Sequence, residues 1–389
     1  MLKEFLSDHS RKNEFLKETY RQIHKRKLIS KAELIEILQA RSTTMTRALE
    51  ELLQKGWIKE GGVGLSSGGR PPILYEAEKN AAWMIGIDIS RTETRAVLTT
   101  VGYTIVEHHQ MEMTDNHTPD VVFEELHHVI EKWLDKYGIS YGQLLGIGVG
   151  TVGPVLRTEG RMRNPESFLS SGWENVAVRE KLARFPVRIL VDNGANSAAV
   201  AEFVRHNETF SHILYCINGY GIRGGVVNHG KVFTAGQGDT SALGHIIVQA
   251  NGKVCTCGHE GCLAAYTSYP AMMKEYERVS GEKNVSLNRF LSRIQEGNQE
   301  AIRIAKKGAF YYGVGLANMI NALRPELVVL HGHLVYETPF FYTEAVQHAV
   351  AHLYMPEKGS APVFKKGTLK EEAIALGAAI QVFQSYFPY

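Results

Sequence analysis

Features that mark several protein classes are scarce or absent in this sequence. Four of its 389 residues are cysteine, and a chain of this length can bury a core large enough to fold without disulfides. No apolar run approaches the roughly 20 residues that a membrane-spanning helix needs. The N-terminal segment MLKEFLSDHSRKNEF is too polar for a secretory signal. We therefore expect a cytoplasmic protein without a membrane segment.

The net charge is also small, +2, but it is unevenly distributed. Residues 1–75 contain 14 Lys and Arg against 9 Asp and Glu, a net charge of +5, which leaves −3 for the remaining residues. The length suggests two or three domains of about 100–200 residues each. A basic terminus on a mildly acidic body predicts a polyanion-binding module joined to a second functional unit.

Three helices are predicted within the basic segment. Apolar residues recur at helical spacing over residues 12–25, and a second helix opens at Ser30, where Glu33 completes a capping-box pattern. A third helix spans about residues 43–55, and Gly56 ends it. The apolar residues of this third helix form one stripe: Met45, Ala48, Leu49, Leu52 and Leu53.

The opposite face of the third helix carries Thr43, Thr44, Thr46 and Arg47. In a helix-turn-helix domain these positions contact base edges and phosphates. Threonine suits a phosphate or a thymine methyl group, and arginine suits guanine or a phosphate. The three helices alone are equally compatible with a plain helical bundle that has a solvated face.

The segment that follows favours the DNA-binding interpretation. Residues 57–60 and 73–75 predict two strands, and the Gly-rich stretch between them resembles the wing of a winged helix-turn-helix domain. Pro71 and Pro72 keep the backbone extended after Arg70, whose guanidinium could enter a narrow minor groove. Taken alone, the stretch could also be a flexible interdomain linker. The whole arrangement predicts a DNA-binding domain over residues 1–78.

From Trp83 onwards, predicted strands alternate with helices, which is typical of an α/β fold. A strand hairpin opens at residues 84–99, and a similar one opens at residues 213–234. This repetition predicts two related lobes with a cleft between them. Further strands are predicted at 144–149, 187–191 and 327–330, and helices at 121–136, 287–323, 340–353 and 371–386.

Three of the four cysteines lie within eight residues of one another. Together with His245, the side chains of Cys255, Cys257 and Cys262 provide four ligands, enough for a closed tetrahedral zinc shell. A closed shell leaves no position for a reactive water, so the zinc would be structural. The alternative is a set of reduced surface thiols, and His259 is a second candidate for the histidine ligand.

These motifs resemble the ROK family of repressors and sugar kinases, and the winged helix is similar to that of its xylose-repressor and N-acetylglucosamine-repressor type. The resemblance covers essentially the whole chain, and the spacing of the four zinc ligands matches the family's zinc loop. It implies a two-lobed, actin-like ATPase fold with lobe 1 over residues 79–195 and lobe 2 over residues 196–370. A C-terminal helix at about 371–389 would pack back on lobe 1 or between chains.

The glycine-rich loops that hold ATP in the family's kinases are altered here. Their pattern Asp-x-Gly-Gly-Thr is replaced by Asp88-Ile89-Ser90-Arg91-Thr92, and Gly-Thr-Gly-Ile-Gly-Gly-Gly is replaced by Gly219-Tyr220-Gly221-Ile222-Arg223-Gly224-Gly225. The family's late Gly-Gly-Gly turn reads Leu330-His331-Gly332-His333. Bulky side chains at the expected phosphate positions imply that no ATP is bound.

The family's catalytic base is missing as well. In its kinases the Asp of Glu-Asn-Asp-Ala-Asn takes a proton from the sugar hydroxyl, and Gly194 stands at that position here. Asp192 starts roughly 6.5 Å away along an extended strand, so we expect it to cap Ala195 or Asn196 instead of acting as a base. The resemblance therefore implies a protein that is not an enzyme.

The resemblance also implies a partly eroded sugar site. Ala242 and Ala264 replace two glutamates that bind sugar hydroxyls, and each lost acceptor would cost about 1.5–3 kcal/mol. Two other sugar-site residues are retained, and a loop that resembles the family's sugar-covering loop supplies two more. The candidate effector-binding residues are Asn164, Trp173, Asn193 and His245. Trp173 either stacks on the effector or packs within its lobe.

The combined expectation is a transcriptional repressor of carbohydrate-metabolism genes that binds a double-stranded DNA operator as a homodimer or tetramer. Its kinase-like body would serve as the dimerisation domain and would bind a sugar or sugar derivative. One alternative is a regulator without small-molecule control, which answers to a protein partner or is constitutive. A second alternative is a sugar kinase with an attached DNA-binding arm, for which intact Gly-rich loops and an Asp at position 194 are lacking.

Overall fold

The computed structural model describes residues 5–6, 8–65, 71–165, 168–206, 209–234, 240–354 and 361–387. Within these ranges no helix is both long and apolar enough to cross a lipid bilayer. Helices and strands are numbered below in chain order.

Capping residues set the helix boundaries of the N-terminal domain. Ser30 Oγ accepts a hydrogen bond from the Glu33 N–H at 3.3 Å, and Glu33 Oε2 accepts one from the Ser30 N–H at 2.8 Å, so the predicted capping box is confirmed. Gly56, at φ +70°, follows the third helix. The helices are α1 (Arg11–Arg26), α2 (Lys31–Leu38) and α3 (Ser42–Gln54), and the strands are β1 (Ile29–Ser30), β2 (Ile58–Val63) and β3 (Ile73–Ala77).

The predicted wing begins within a strand, not in a loop. Strand β2 continues past residue 60 to Val63 and pairs with β3, with a register shift between Glu60 and Gly62. A Cβ atom at Gly61 would lie 2.5 Å from Cδ2 of Leu28, an exposed side chain in the segment between α1 and β1. Arg70, the predicted minor-groove residue, lies outside the described residues.

Two five-stranded sheets form the body of the protein. The first contains β4 (Trp83–Ile89), β5 (Glu93–Thr100), β6 (Ile105–Glu112), β7 (Leu144–Thr151) and β10 (Arg188–Asn193). The second contains β11 (His212–Asn218), β12 (Ile222–Asn228), β13 (Lys231–Val232), β14 (Leu327–His331) and β15 (Val363–Lys366). A separate small hairpin consists of β8 (Val155–Leu156) and β9 (Arg161–Met162).

The two sheets have the same topology. The strand order is β10-β7-β4-β5-β6 in the first, and it is β15-β14-β11-β12-β13 when the second is read in the matching direction. In the first sheet β4 is antiparallel to β5 and parallel to β7. In the second sheet β11 is likewise antiparallel to β12 and parallel to β14. The two related lobes that the repeated hairpin predicts are therefore confirmed.

The body also contains ten α-helices within the described residues. In the first lobe α4 packs on the sheet, and in the second lobe α8 to α12 form the helical side of the larger core. The bounds are α4 (Pro119–Tyr137), α5 (Val178–Lys181), α6 (Gly194–His206), α7 (Ala264–Thr267), α8 (Tyr269–Ser280), α9 (Leu287–Gln295), α10 (Gln299–Leu323), α11 (His333–Glu337), α12 (Phe341–Ala351) and α13 (Ala373–Gln384).

Helices α6 and α13 pack on each other where the two lobes meet. Helix α13 lies on β4 and β7 of the first sheet, whereas α6 lies on β11 and β12 of the second. A Cβ atom at Gly86 would lie 1.8 Å from the Ala375 carbonyl oxygen, and one at Gly148 would lie 1.9 Å from that of Ala378. Because these distances exclude any side chain, glycine at both positions allows α13 to approach the first sheet this closely.

An aromatic cluster joins the N-terminal domain to the end of α13. His24 stacks on Phe383 with ring centroids 4.4 Å apart, and Tyr20 contacts Phe387 at 5.0 Å. His24 Nε2 lies 2.7 Å from the Val101 carbonyl oxygen, and burial lowers the pKa of this imidazole. We call this cluster the aromatic junction: Phe5, Tyr20, His24, Trp57, Tyr103, Phe383 and Phe387.

Candidate functional sites

A cavity of about 610 Å³ lies where the two lobes face each other. Its walls include the turn after β4 at residues 90–92, the turn after β11 at residues 219–221 and the end of β14 with the two residues that follow it, 331–333. The two hairpin turns occupy equivalent places in the repeated sheets, so the duplication brings them to opposite sides of one cleft. The start of α13 closes part of the wall through Ile374.

Two arginines line this cavity at positions where the family's kinases have glycine. Arg91 belongs to the turn of the first lobe, and Arg223 is the second residue of β12 in the second lobe. Both side chains are half-buried. Each lobe therefore contributes an arginine to the cavity wall.

Burial shifts the pKa of two ionisable groups at the cavity. Asp88 is 4% exposed and accepts a hydrogen bond from Ser90 Oγ at 2.7 Å, and burial raises its pKa to about 7. Burial also lowers the pKa of His331 to about 4, and Nδ1 of this imidazole lies 3.0 Å from the Tyr336 hydroxyl. At neutral pH the aspartate is thus partly protonated and the histidine is neutral.

Gly194 begins helix α6 directly after β10, and Ile374 packs against it. A Cβ atom at Gly194 would lie 3.1 Å from Ile374 Cδ1, and one at Gly150 would lie 2.5 Å from Ile374 Cγ2. The isoleucine therefore fills the space beside the position of the family's catalytic base. Sequence analysis missed Ile374 because it comes from a distant part of the chain and belongs to no motif.

Asp192, the other carboxylate of this segment, is 4% exposed and fully engaged. Its Oδ1 accepts from the Asn193 N–H at 2.7 Å and from Asn196 Nδ2 at 3.0 Å, which is a local capping role. Its Oδ2 accepts from Gln381 Nε2 at 2.8 Å and lies 3.2 Å from the Arg157 guanidinium. With both oxygens bonded in this way, Asp192 ties β10 to α13 and is poorly suited to act as a base.

The four candidate effector-binding residues do not come together. Asn193 lines the cavity, and its Oδ1 accepts from the Ala195 N–H at 2.9 Å. Asn164 is exposed, at φ +45°, and His245 lies in the cysteine cluster. These last two, like Trp173, are outside the described lining of the cavity.

Trp173 belongs to the core of the first lobe. Its indole is 1% exposed and stacks on Phe168 with ring centroids 4.5 Å apart. Its Nε1 donates to the His117 carbonyl oxygen at 3.1 Å and lies 3.0 Å from Ser170 Oγ. This placement favours packing within the lobe, the second of the two alternatives that the sequence leaves open.

A metal-binding geometry is present at His245, Cys255, Cys257 and Cys262. Their ligand atoms all lie within 4.8 Å of one another, with 3.7 Å between Cys257 Sγ and Cys262 Sγ and 3.7 Å between His245 Nδ1 and Cys255 Sγ. A tetrahedral shell with zinc–sulfur bonds of about 2.3 Å separates its sulfur atoms by about 3.8 Å. The four side chains therefore lie close enough together to hold one tetrahedral ion.

Little regular secondary structure holds these ligands in place. A 3₁₀ turn at Leu243–His245 carries the histidine, and the cysteine loop is closed by isolated bridges between Ile247 and Cys262 and between Val254 and Glu260. His259 Nδ1 lies 3.6 Å from Cys257 Sγ, but this imidazole is outside the group of four mutually close ligands in the described part of the chain.

The predicted DNA-facing residues lie at the start of α3. Thr43, Thr44 and Arg47 are exposed. Thr46 is half-buried: its Oγ1 donates to the Ser42 carbonyl oxygen at 2.9 Å and accepts from Lys31 Nζ at 2.5 Å. Three of the four side chains therefore form one solvent-facing surface, and the fourth fixes a lysine of α2 beside it.

Asn218, at the end of β11, is a cavity residue that sequence analysis missed. It is fully buried, and its Nδ2 donates to the Thr267 carbonyl oxygen at 2.8 Å. Its Oδ1 has no hydrogen-bond partner among the described residues. An asparagine at a predicted strand end gives no signal of its own, because unsatisfied acceptors become visible only once the neighbouring chain segments are placed.

Comparisons with known proteins agree on the family. The model of the ROK family matches residues 84–385. A xylose repressor of Bacillus spizizenii is 26% identical over 375 residues, which cover 94% of this chain and 94% of the repressor. A glucokinase of Halalkalibacterium halodurans is 25% identical over 320 residues, which cover 78% of this chain and 95% of the kinase.

The fold agrees as well. The crystal structure of a ROK family transcriptional regulator, a homolog of the E. coli MLC protein, matches with a TM-score of 0.78 at 20% identity and covers 96% of each chain. The two-lobed fold with an N-terminal helix-turn-helix, expected from the sequence, is thereby confirmed. Because the family model matches most of the chain, the chain belongs to the ROK family.

Proposed function

We propose that this protein is a DNA-binding transcriptional repressor of carbohydrate-metabolism genes. The observation that carries the proposal is the extent of similarity: the xylose repressor aligns with 94% of the chain, whereas the glucokinase aligns with 78%. The part that a kinase of this family leaves unmatched is large enough to hold the winged helix. The three exposed side chains at the start of α3 support the same conclusion.

DNA binding would use α3 in the major groove. Thr43, Thr44 and Arg47 would contact base edges and phosphates, with Lys31 adding a cation beside them, and Arg70 would enter the adjacent minor groove. The protein would bind as a homodimer, so its operator would be pseudo-palindromic. The half-site centres would then lie about 34–36 Å apart or at a multiple of that distance.

Several features argue against sugar phosphorylation. Gly194 offers no general base, Ile374 packs against the space where a carboxylate would lie, and Asp192 is bonded through both oxygens. Arg91 and Arg223 occupy positions at which the family's kinases need glycine for close approach to phosphates. We infer that the body binds an effector without catalysing a reaction and that it does not use ATP.

The cysteine cluster would hold a structural zinc ion. Three thiolates and one imidazole are ligands that zinc prefers, and the four ligand atoms lie within 4.8 Å of one another. The ion would fix the loop at residues 242–262, whose described secondary structure is one 3₁₀ turn and two isolated bridges, against the second lobe.

Helix α13 would couple the cleft to the DNA-binding domain. Its first turn contributes Ile374 to the cavity, and Phe383 near its end packs in the aromatic junction. A ligand that binds one angle between the lobes more tightly than another would shift α13, and with it the two winged helices of a dimer. Ala242 and Ala264 favour a second candidate function, a repressor whose signal is a protein partner instead of a sugar.

The test is binding of the full-length protein to the DNA upstream of its own gene, at two salt concentrations, against a scrambled competitor. We expect tight binding that resists the competitor, and Arg47→Ala should weaken it by about 1–3 kcal/mol. Arg303→Ala removes the same charge from an exposed site on α10 and should have no effect. If salt abolishes binding equally for both DNAs, only the charge of the basic terminus is at work, and the proposal fails.

A further inference from the structure

We propose that Cys257 is a site of oxidation by hydroperoxides, at which a disulfide with Cys262 forms and displaces the zinc ion. This inference rests on the proposed function in one respect, because it takes the cysteine cluster to hold zinc. It assigns a reversible modification to residues that otherwise have only a structural role. The modified residues lie in the second lobe, outside the described lining of the cleft.

The three cysteines of the cluster are unequally exposed. Cys257 is exposed, whereas Cys255 and Cys262 are 5% and 1% exposed. A cysteine that binds zinc does so as a thiolate, which is also the form that attacks a peroxide. Because oxidation of a thiolate also needs access from solvent, a peroxide meets Cys257 first. Cys216 is fully buried in the core of the second lobe and is shielded from solvent.

A second sulfur atom lies beside the exposed one. Cys257 Sγ and Cys262 Sγ are 3.7 Å apart. Because the sulfur atoms of a disulfide are about 2.05 Å apart, each would move by only about 0.8 Å. An isolated bridge between Val254 and Glu260 closes a hairpin in which Cys257 lies near the tip, and Cys262 follows the hairpin directly. Cys262 is thus placed to attack an oxidised Cys257.

The third cysteine of the cluster is a poorer partner. Cys255 and Cys257 are separated by one residue and lie in the same turn, in which the Gly258 N–H donates to the Cys255 carbonyl oxygen at 3.0 Å. The Cys255 N–H donates to the His259 carbonyl oxygen at 2.8 Å. A disulfide between such close neighbours departs from the usual geometry and stores strain. We therefore expect Cys262 to be the partner.

The reaction balances with one molecule of hydrogen peroxide. The Cys257 thiolate attacks one peroxide oxygen, the O–O bond breaks and hydroxide leaves, so the sulfur becomes a sulfenic acid. The Cys262 thiolate then attacks this sulfur, the S–S bond forms and the S–O bond breaks with loss of a second hydroxide. The two sulfur atoms together lose two electrons, which the peroxide gains, and solvent protons convert both hydroxides to water.

Disulfide formation would remove half of the ligand set. Zinc would keep only His245 and Cys255, and two ligands do not complete a tetrahedral shell. The loop would retain the isolated bridge between Ile247 and Cys262, which involves no metal ligand bond, and the new disulfide would tie its tip to its base. We therefore expect the loss of zinc to be reversible when the disulfide is reduced.

The experiment is treatment of the full-length, zinc-loaded protein with hydrogen peroxide, which catalase then removes. A chromogenic chelator measures the released zinc against an untreated sample, and mass spectrometry maps the disulfides. We expect one zinc ion to be released for each disulfide formed, and a peptide pair that joins Cys257 to Cys262. Dithiothreitol with added zinc should restore both the thiols and the zinc content.

A trapping reagent and two variants make the assignment specific. Dimedone present during oxidation should label the sulfenic acid on Cys257. Cys262→Ser removes the second thiol, so peroxide should convert Cys257 to a sulfinic acid without a disulfide, and circular dichroism establishes that the variant is folded. Cys216→Ala is the matched control and should release zinc as the parent does. If Cys262→Ser does not fold, the dimedone label on the parent protein decides which thiol reacts first.

Three results would overturn the proposal. They are zinc that stays bound while peroxide consumes added glutathione, a disulfide that includes Cys255, and a dimedone label on a cysteine other than Cys257. A protein that binds no zinc before oxidation would refute the metal site proposed above and, with it, the displacement step. Because the measurement needs no DNA, a failure of operator binding would refute the repressor and not the oxidation site.

Discussion

The two lobes share one sheet topology but are held to their surroundings in different ways. The first sheet carries α13 and, through the aromatic junction, the N-terminal domain. The second sheet carries a thick layer of helices and the loop with the clustered histidine and three cysteines. Duplication therefore determines where the cleft lies, and the segments added to each lobe determine what the cleft is connected to.

The interactions that stabilise these attachments also differ between the two lobes. In the first lobe the attachment is made of buried aromatic side chains, whose contribution depends on packing. In the second lobe the loop at residues 242–262 has one 3₁₀ turn and two isolated bridges, and we expect a bound metal ion to add to its order. The first attachment is hydrophobic, we expect the second to be a metal site, and the predictions below separate the two.

Removal of the metal should have the largest effect and should be confined to the second lobe. Cys257→Ser or a strong chelator should abolish zinc binding and lower the free energy of unfolding by on the order of 5 kcal/mol or more, since zinc binding to small domains supplies about 10–16 kcal/mol. Zinc content per chain and thermal unfolding measure both results. Cys216→Ala is the matched control, because Cys216 lies in the core, away from the ligand cluster, and should keep its zinc. A variant without zinc but with unchanged stability would contradict the structural role.

The corresponding test of the first lobe is Phe383→Ala. The ring is 2% exposed and contacts His24, Tyr20 and Phe387, so its loss should lower the free energy of unfolding by about 3–5 kcal/mol. Urea unfolding measures the change, and zinc content should remain normal. Phe310→Ala, at a ring that is 37% exposed on α10, should cost far less. Equal costs at the two positions would show that the junction is not a packed core.

Local patterns made the clustering of His245 with three cysteines and the capping box at Ser30 predictable. The metal ligands lie within one short segment, and the capping box at Ser30 involves residues three apart, so one stretch of sequence contains each complete feature. The duplicated hairpins were recognisable for the same reason. The edge strand β6 was missed because its central residues are His108, His109 and Gln110, a polar run that hides the alternation of a strand.

Features made by distant segments were not predictable. Ile374 packs beside Gly194 only because α13 returns to the first sheet, and Asn218 lacks a partner only because of the segments around it. The role of Trp173 was ambiguous because the sequence does not show whether an indole in a loop packs into the core or faces a ligand. The arginines of the cleft were visible in the sequence, but their meeting in one cavity depends on how the lobes face each other.

The next prediction concerns the cleft and tests whether a carboxylate at position 194 is enough to produce kinase activity. Gly194→Asp restores a carboxylate at the position of the base, but its Cβ atom would lie 3.1 Å from Ile374 Cδ1. We expect it to destabilise the protein by about 1–3 kcal/mol and to produce no ATP-dependent sugar phosphorylation. The double variant with Ile374→Ala should recover part of the stability and remain inactive. Phosphorylated product above the parent's background from either variant would show that the altered loops still bind ATP.

The smallest expected effect is the pH dependence of the aromatic junction, which distinguishes a packed attachment from an ionic one. Burial lowers the folded-state pKa of His24, while in the unfolded chain it titrates near 6.5. Below that pH the unfolded chain binds a proton that the folded junction excludes, so stability is complete above about pH 6.5 and falls as the pH decreases towards the folded-state pKa.

One such titrating group changes the free energy of unfolding by at most about 1.4 kcal/mol per pH unit. Urea unfolding at pH 7.5, 6.5 and 5.5 measures that slope. His24→Gln keeps a donor for the Val101 carbonyl oxygen but cannot be protonated, so it should flatten the curve below pH 6.5. His331→Gln is the comparison in the second lobe, because burial lowers its pKa to about 4 without any contact with the junction. Because both variants can flatten the dependence of the free energy of unfolding on pH, each is measured again after zinc has been removed. If only His24→Gln then still changes the free energy of unfolding, packing in the first lobe excludes the proton. An unchanged slope in His24→Gln would mean that the junction opens to water before the protein unfolds.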